Sequence, residues 1–219
     1  TAGIASISNA NIALLTTTAI SNLSSSQIQA LSSSQFANLT TDDIAALTSS
    51  QYAALTTKQI VGLDDPSKVL TLFGGASVST KISSIPPNAL TKLTSTNSST
   101  LTSAQLAALT TAQIPGLSAS VLGSFTTTST GQIKGLTTAQ IAVLTQAQAK
   151  ALSAAQLNAL TTTQTAALST YAIAALTASA VPSLQVASLT STQVKSLKAD
   201  QIKAFTASNQ IPALTSTQV

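Results

Sequence analysis

The stretch "LTTAQIAVL", residues 136–144, begins and ends on leucine, and near-copies of it fill most of the 219-residue chain. Leucine recurs in register at 15, 23, 31, 39, 47, 55 and 63, again at 101 and 109, and again at 136, 144, 152, 160, 168 and 176. With leucine in slot one, slot six holds Ile20, Ile28, Phe36, Ile44, Tyr52 and Ile60. An eight-residue period fits neither a helix nor a strand. On one long α-helix eight residues turn through about 800°, so each apolar pair would rotate about 80° from the last and no straight partner could bury the stripe. On a strand, slots one and six would lie on opposite faces.

The period makes sense when each octad starts a new helix. Thr137 is placed as an N-cap, and Gln140, three residues on, can reach back to the Thr137 amide in a capping box. Leu136 and Ile141 then occupy the two positions of a hydrophobic staple. The same pairing recurs as Ser24–Gln27, Ser32–Gln35, Thr40–Asp43, Thr48–Gln51, Thr56–Gln59, Thr102–Gln105, Thr110–Gln113, Thr145–Gln148, Ser153–Gln156, Thr161–Gln164 and Thr190–Gln193. Helices of about six residues cannot stand alone in water and must stack. The predicted fold is all-α, a solenoid or superhelix of very short capped helices, one per octad, with Leu, Ile and the small pair of slots seven and eight facing inward. Stacking also predicts ladders of slot-five side chains, in which Gln avoids the like charges that Glu would bring.

The count breaks at 63–76 (LDDPSKVLTLFGGA), 125–135 (FTTTSTGQIKG), 184–188 (LQVAS) and 205–213 (FTASNQIPA). The expected organisation is octad solenoid over 1–62, an irregular insertion with degenerate octads over 63–100, and octad solenoid over 101–219, in one continuous solenoid. Pro86 and Pro87 are expected in a loop or a first helical turn.

Composition excludes much chemistry. Only 6% of residues are charged, and Cys, His, Met, Trp, Arg and Glu are all absent. The usual zinc, copper and haem ligands and the His-based nucleophile systems are therefore lacking, so no catalytic residues and no enzyme are expected. Ser67–Lys68 and Thr80–Lys81 are adjacent and could form a Ser/Thr–Lys dyad, but such neighbours arise readily in so hydroxyl-rich a chain. A net charge of +4 does not imply nucleic acid, because nine dispersed lysines with 3% aromatics make neither phosphate forks nor stacking platforms. Mean hydropathy is +0.37, yet no apolar run approaches the roughly 20 residues of a spanning helix. Thr1 in place of Met is read as a processed mature chain or a piece of a larger one, and the lack of Cys and Met suits an exported protein.

The candidate metal site is the pair Asp64 and Asp65, hard oxygen donors for calcium, although "DDP" is equally turn and helix-start chemistry. No other cofactor is expected. Asp42 and Asp43 read as helix-start residues, Tyr52 and Tyr171 as core or surface variants, and Asn22, Asn38 and Asn97 head sequons that matter only in a glycosylating host.

"LTTDDIAALTSSQYAALTTKQIVGL" (39–63) and "LTTAQIAVLTQAQAKALSAAQLNAL" (136–160) resemble the LTTAQIAAL octapeptide arrays of very large secreted or surface proteins of Gram-negative bacteria. The resemblance implies a structural cell-surface or matrix role with no catalytic residues to transfer. A looser similarity to the Leu-Ser/Thr cadence of mesothelin-type superhelical proteins implies short stacked helices. The chain is accordingly expected to be an extracellular or cell-surface protein that self-associates head to tail. Neither end carries an evident polar cap, and residues 1–65 hold four Asp against one Lys while 150–219 hold four Lys against one Asp. The rival expectation is an adhesin or glycan-binding module with a cell-surface or glycan partner, using the Thr/Ser/Gln face.

Overall fold

The computed structural model describes residues 2–73, 82–83, 85, 87–129, 131–205, 210–216 and 218. Among them there are short helices and no strand. The all-α solenoid is what forms: Ser25–Ala30, Ser33–Ala37, Thr41–Ala45, Ser49–Ala54 and Thr57–Val61 follow one another at octad spacing, as do Thr138–Ala142, Gln146–Lys150, Ala154–Ala159, Thr162–Ala167 and Thr170–Ala175. The chain divides into two compact units, Thr1–Ser98 with Ala108–Gly116, and Ser99–Ala107 with Leu117–Val219.

Most helices start as a hydroxyl residue dictates. Ser32 is extended (φ −65°, ψ 162°), its Oγ accepts the Gln35 amide at 3.1 Å, and its own amide donates to Gln35 Oε1 at 2.8 Å. The helix ends without help from glycine: no described residue has a positive φ. Instead the slot-one leucine turns extended while its amide still donates to the slot-six carbonyl three residues back, as in Leu31 (φ −63°, ψ 133°) to Ile28 at 3.2 Å. Two consecutive extended residues, leucine and then its hydroxyl neighbour, thus supply the bend at each octad boundary.

Helices pack in step with this bending. Ser25–Ala30 lies on Ser49–Ala54, Ser33–Ala37 on Thr57–Val61, Thr138–Ala142 on Thr162–Ala167, and Gln146–Lys150 on Thr170–Ala175, each time the third helix along. The core is slots one and six: Ile28, Leu31, Phe36, Leu39, Ile44 and Leu47 are buried in the first unit, and Leu136, Ile141, Leu144, Leu152, Leu157 and Leu160 in the second.

One expectation needs correction. The small pair of slots seven and eight does not face inward: Ala45, Ala53 and Ala142 are exposed, and Ala46 and Ala54 half-buried. Slot seven lies about 100° around the helix from buried slot six, which takes it off the inward face. Where slot eight is glycine, it meets the first turn of a helix in the neighbouring coil. A Cβ on Gly62 would stand 2.9 Å from Ser33 Cβ, and one on Gly135 2.5 Å from Ser103 Cβ.

In the stretch 63–100, expected to hold an irregular insertion and degenerate octads, the helices Pro66–Phe73, Pro87–Leu90 and Ser95–Ser98 form. Val69, Leu72 and Phe73 are buried, and Pro66–Phe73 packs on Thr41–Ala45 in the usual third-helix relation. Pro66–Phe73 keeps the solenoid's packing rule because apolar spacing survives there where the octad count does not. Pro87 opens its helix, while Pro86 and the Gly74–Gly75 pair lie outside the described residues.

Candidate functional site: the coil-to-coil joint

All twelve predicted capping pairs are hydrogen-bonded. In eleven, Thr137–Gln140 among them, the hydroxyl residue's amide donates to the slot-five oxygen and the slot-five amide donates back to the hydroxyl. At Thr110 the amide still donates to Gln113 Oε1, and the hydroxyl donates there too.

A second role of glutamine went unread in the sequence. Its Oε1 serves the cap, while its Nε2 crosses to the coil before. Gln59 Nε2 donates to Ile28 O at 2.7 Å and Leu31 O at 3.0 Å, 31 and 28 residues earlier. Gln35 reaches Ile4, Ala5 and Ile7, and Gln51 reaches Ile20, Ser21 and Leu23. Gln113 donates to Ile82 and Ile85, and Gln164 to Lys134 and Leu136. The acceptors are the carbonyls of slots six, seven and one, the groups that a helix leaves unpaired at its C-terminal end. These glutamines are buried, Gln59 being 1% exposed. A buried polar side chain must be satisfied on all sides, and Gln manages this because one amide carries an acceptor for its own helix and two donors for another.

The joint accounts for residue choice. Glu could cap but could not donate, a more direct reason for its absence than like-charge ladders. Where Lys68 stands in the slot-five position of Pro66–Phe73, its Nζ donates to Ala37 O at 2.7 Å, 31 residues back. Asp43 is a cap without a donor: it accepts from the Thr40 amide at 2.9 Å and hydroxyl at 2.7 Å.

The joint also explains two of the breaks in the count. The eleven-residue block 125–135 keeps its capping box across the insertion, Thr126 N donating to Gln132 Oε1 and Gln132 N to Thr126 Oγ1. It has three residues more than an octad, and coils spanning it have reach lengths three longer: Gln156 donates to Leu122 and Phe125, 34 and 31 back. The five-residue block LQVAS is an octad without slots two to four, its α-helix reduced to the 3₁₀ turn Val186–Ser188. Coils spanning it are three shorter, Gln201 reaching Ile173 and Leu176, 28 and 25 back. Chain length varies while the acceptor slots stay fixed.

The other candidates fall as follows. Asp65 caps Pro66–Phe73, its Oδ1 accepting from the Ser67 amide at 2.8 Å, and Asp64 is 91% exposed on its side chain and pairs with Lys92 at 3.4 Å. Among the described residues no group of three or more His, Cys, Asp or Glu surrounds a common point. The Lys68 ammonium of the Ser67–Lys68 pair is engaged in the joint, and Thr80–Lys81 lies outside the described residues. Tyr52 fills slot six, its hydroxyl donating to Ile44 O at 3.0 Å, and burial pushes its pKa up to about 12. Tyr171 is exposed. Among the described residues, no helix is long and apolar enough to cross a membrane.

A family model described as the ALTTAQ repeat matches residues 4–41, a stretch that includes the Ser24–Gln27 and Ser32–Gln35 boxes. This supports an octapeptide-type repeat protein. No curated protein and no solved structure matches the chain.

Proposed function

We propose that the chain is a non-enzymatic structural repeat protein that works outside the cell, its coils stacking end to end into a filament or an extended surface stalk. The coil-to-coil joint carries this reading. Each coil offers slot-five amide donors on one side and helix-end carbonyls on the other, so any coil is complementary to any other through the same pair of faces. Such a contact is heterologous and does not close on itself, which is the condition for a filament. The charge lean, −3 over residues 1–65 against +3 over 150–219, favours the same head-to-tail polarity. The oxidation-resistant composition and the resemblance to secreted octapeptide arrays support an extracellular setting.

Electron microscopy and size-exclusion chromatography of the purified chain over a concentration series test the proposal. Fibres one chain wide that shorten as salt is raised are expected; a monomer at every concentration and ionic strength overturns it. The adhesin alternative loses half of its polar face, because Gln is buried between coils, but one cleft in the second unit favours it locally.

A further inference from the structure

We infer that the second unit carries a binding cleft for a carboxylated sugar, formed by Gln146, Lys150, Tyr171, Lys198 and Asp200, and independent of whether the chain stacks. A cleft of about 480 Å³ is lined by Gln146, Lys150, Lys198 and Asp200, and a smaller one of about 160 Å³, sharing Gln146 and Lys198, is lined by Tyr171. The larger volume lies in the range of small-ligand sites.

Departures from the repeat converge here. Lys198 occupies the N-cap of Ala199–Lys203, where most octads place Ser or Thr; an ammonium cannot accept, and only the Lys198 amide bond to Gln201 Oε1, at 2.8 Å, remains. A cation at a helix N-terminus also opposes the helix dipole. Tyr171 is 73% exposed, while the other five aromatics of the chain are all buried. Its octad, LSTYAIAA, has Ala172 in slot five, so it sends no side-chain amide to the coil before it. A repeat that breaks its own stabilising rules at several residues around one cavity marks a functional site.

The chemistry selects the ligand. Lys150 and Lys198 form no ion pair; among the described residues only Lys92–Asp64 does. Two ammoniums and one carboxylate leave the cleft positive, suited to a sugar carboxylate as point charges. The exposed Tyr171 ring offers a flat apolar face to a pyranose, and Gln146 and Asp200 offer hydrogen-bonding partners for hydroxyls.

Calorimetric titration of the full chain with tetragalacturonate and with the neutral cellotetraose tests this. Tetragalacturonate is expected to bind and cellotetraose not to bind, with affinity falling about tenfold in Lys198→Ser and in Tyr171→Thr. Both substitutions restore the repeat's own residue types, so neither variant should unfold, and Lys198→Ser should raise Tm by about 2–4 °C through the recovered cap. Equal binding of the neutral sugar, displacement by equimolar inorganic phosphate, undiminished binding in both variants, or no binding of tetragalacturonate overturns the proposal.

Discussion

At slot six the repeat calls for an aliphatic side chain, and Thr165 stands there instead. It is fully buried, and its hydroxyl has no hydrogen-bond partner. An orphaned buried hydroxyl costs about 1–3 kcal/mol, whereas valine has nearly the same shape and no polar atom. Thr165→Val is therefore expected to stabilise the chain by about 1 kcal/mol, read as a rise in the urea midpoint at unchanged slope. Tyr52, in the same slot, satisfies its hydroxyl on Ile44 O but is trapped in its neutral form. Its folded pKa of about 12 stands above the ordinary value of 10.0, so the stability it contributes is whole below pH 10 and lost as pH rises toward 12. Tyr52→Phe should flatten that alkaline decline relative to the parent, measured by thermal melts from pH 9 to 12.

A helix of five or six residues has little to hold it beyond its ends, which is why so much of this architecture can be read locally. Thr137 and Gln140 state a helix start whatever surrounds them, and repetition in register turned that chemistry into the fold. The inter-helix partner was harder to read, because the winding depends on the extended backbone at residues such as Leu31 and Ser32, which no side-chain pattern reports. The box between Thr126 and Gln132 escaped notice because the insertion parts its members by six residues. A usable clue to the joint did exist, namely Gln in eleven of the twelve capping pairs of a chain with no Glu. Close approach at slot eight gives the element-scale prediction: Gly135→Val would press into Ser103 and should cost about 1–3 kcal/mol in chemical denaturation, although the helix itself tolerates valine.

Within each unit, stability is a sum over neighbouring coils rather than the property of one core. Because acceptor slots are fixed and chain length between them is not, octads are interchangeable. Removal of residues 152–159, one whole octad, is expected to leave a cooperative melt and a nearly unchanged helical circular dichroism signal per residue. Removal of 152–155 puts slot-five amides opposite the wrong carbonyls and should abolish cooperativity in the second unit. Similar damage from both deletions would show that the joint does not set the winding.

The most direct measurement is the stability of Gln59→Glu at neutral and acid pH. Glutamate keeps the capping oxygen and is the better partner for a helix start, so a residue that only caps should be unharmed or improved. A residue that also donates to Ile28 O and Leu31 O loses both bonds and sets a buried carboxylate against two carbonyls. The loss should be about 3 kcal/mol at pH 7. Burial raises the folded pKa of that glutamate above its unfolded value of about 4.3, so the deficit relative to the parent should shrink as pH falls and the acid regains an O–H donor. A Gln59→Glu variant as stable as the parent at pH 7 would contradict the joint.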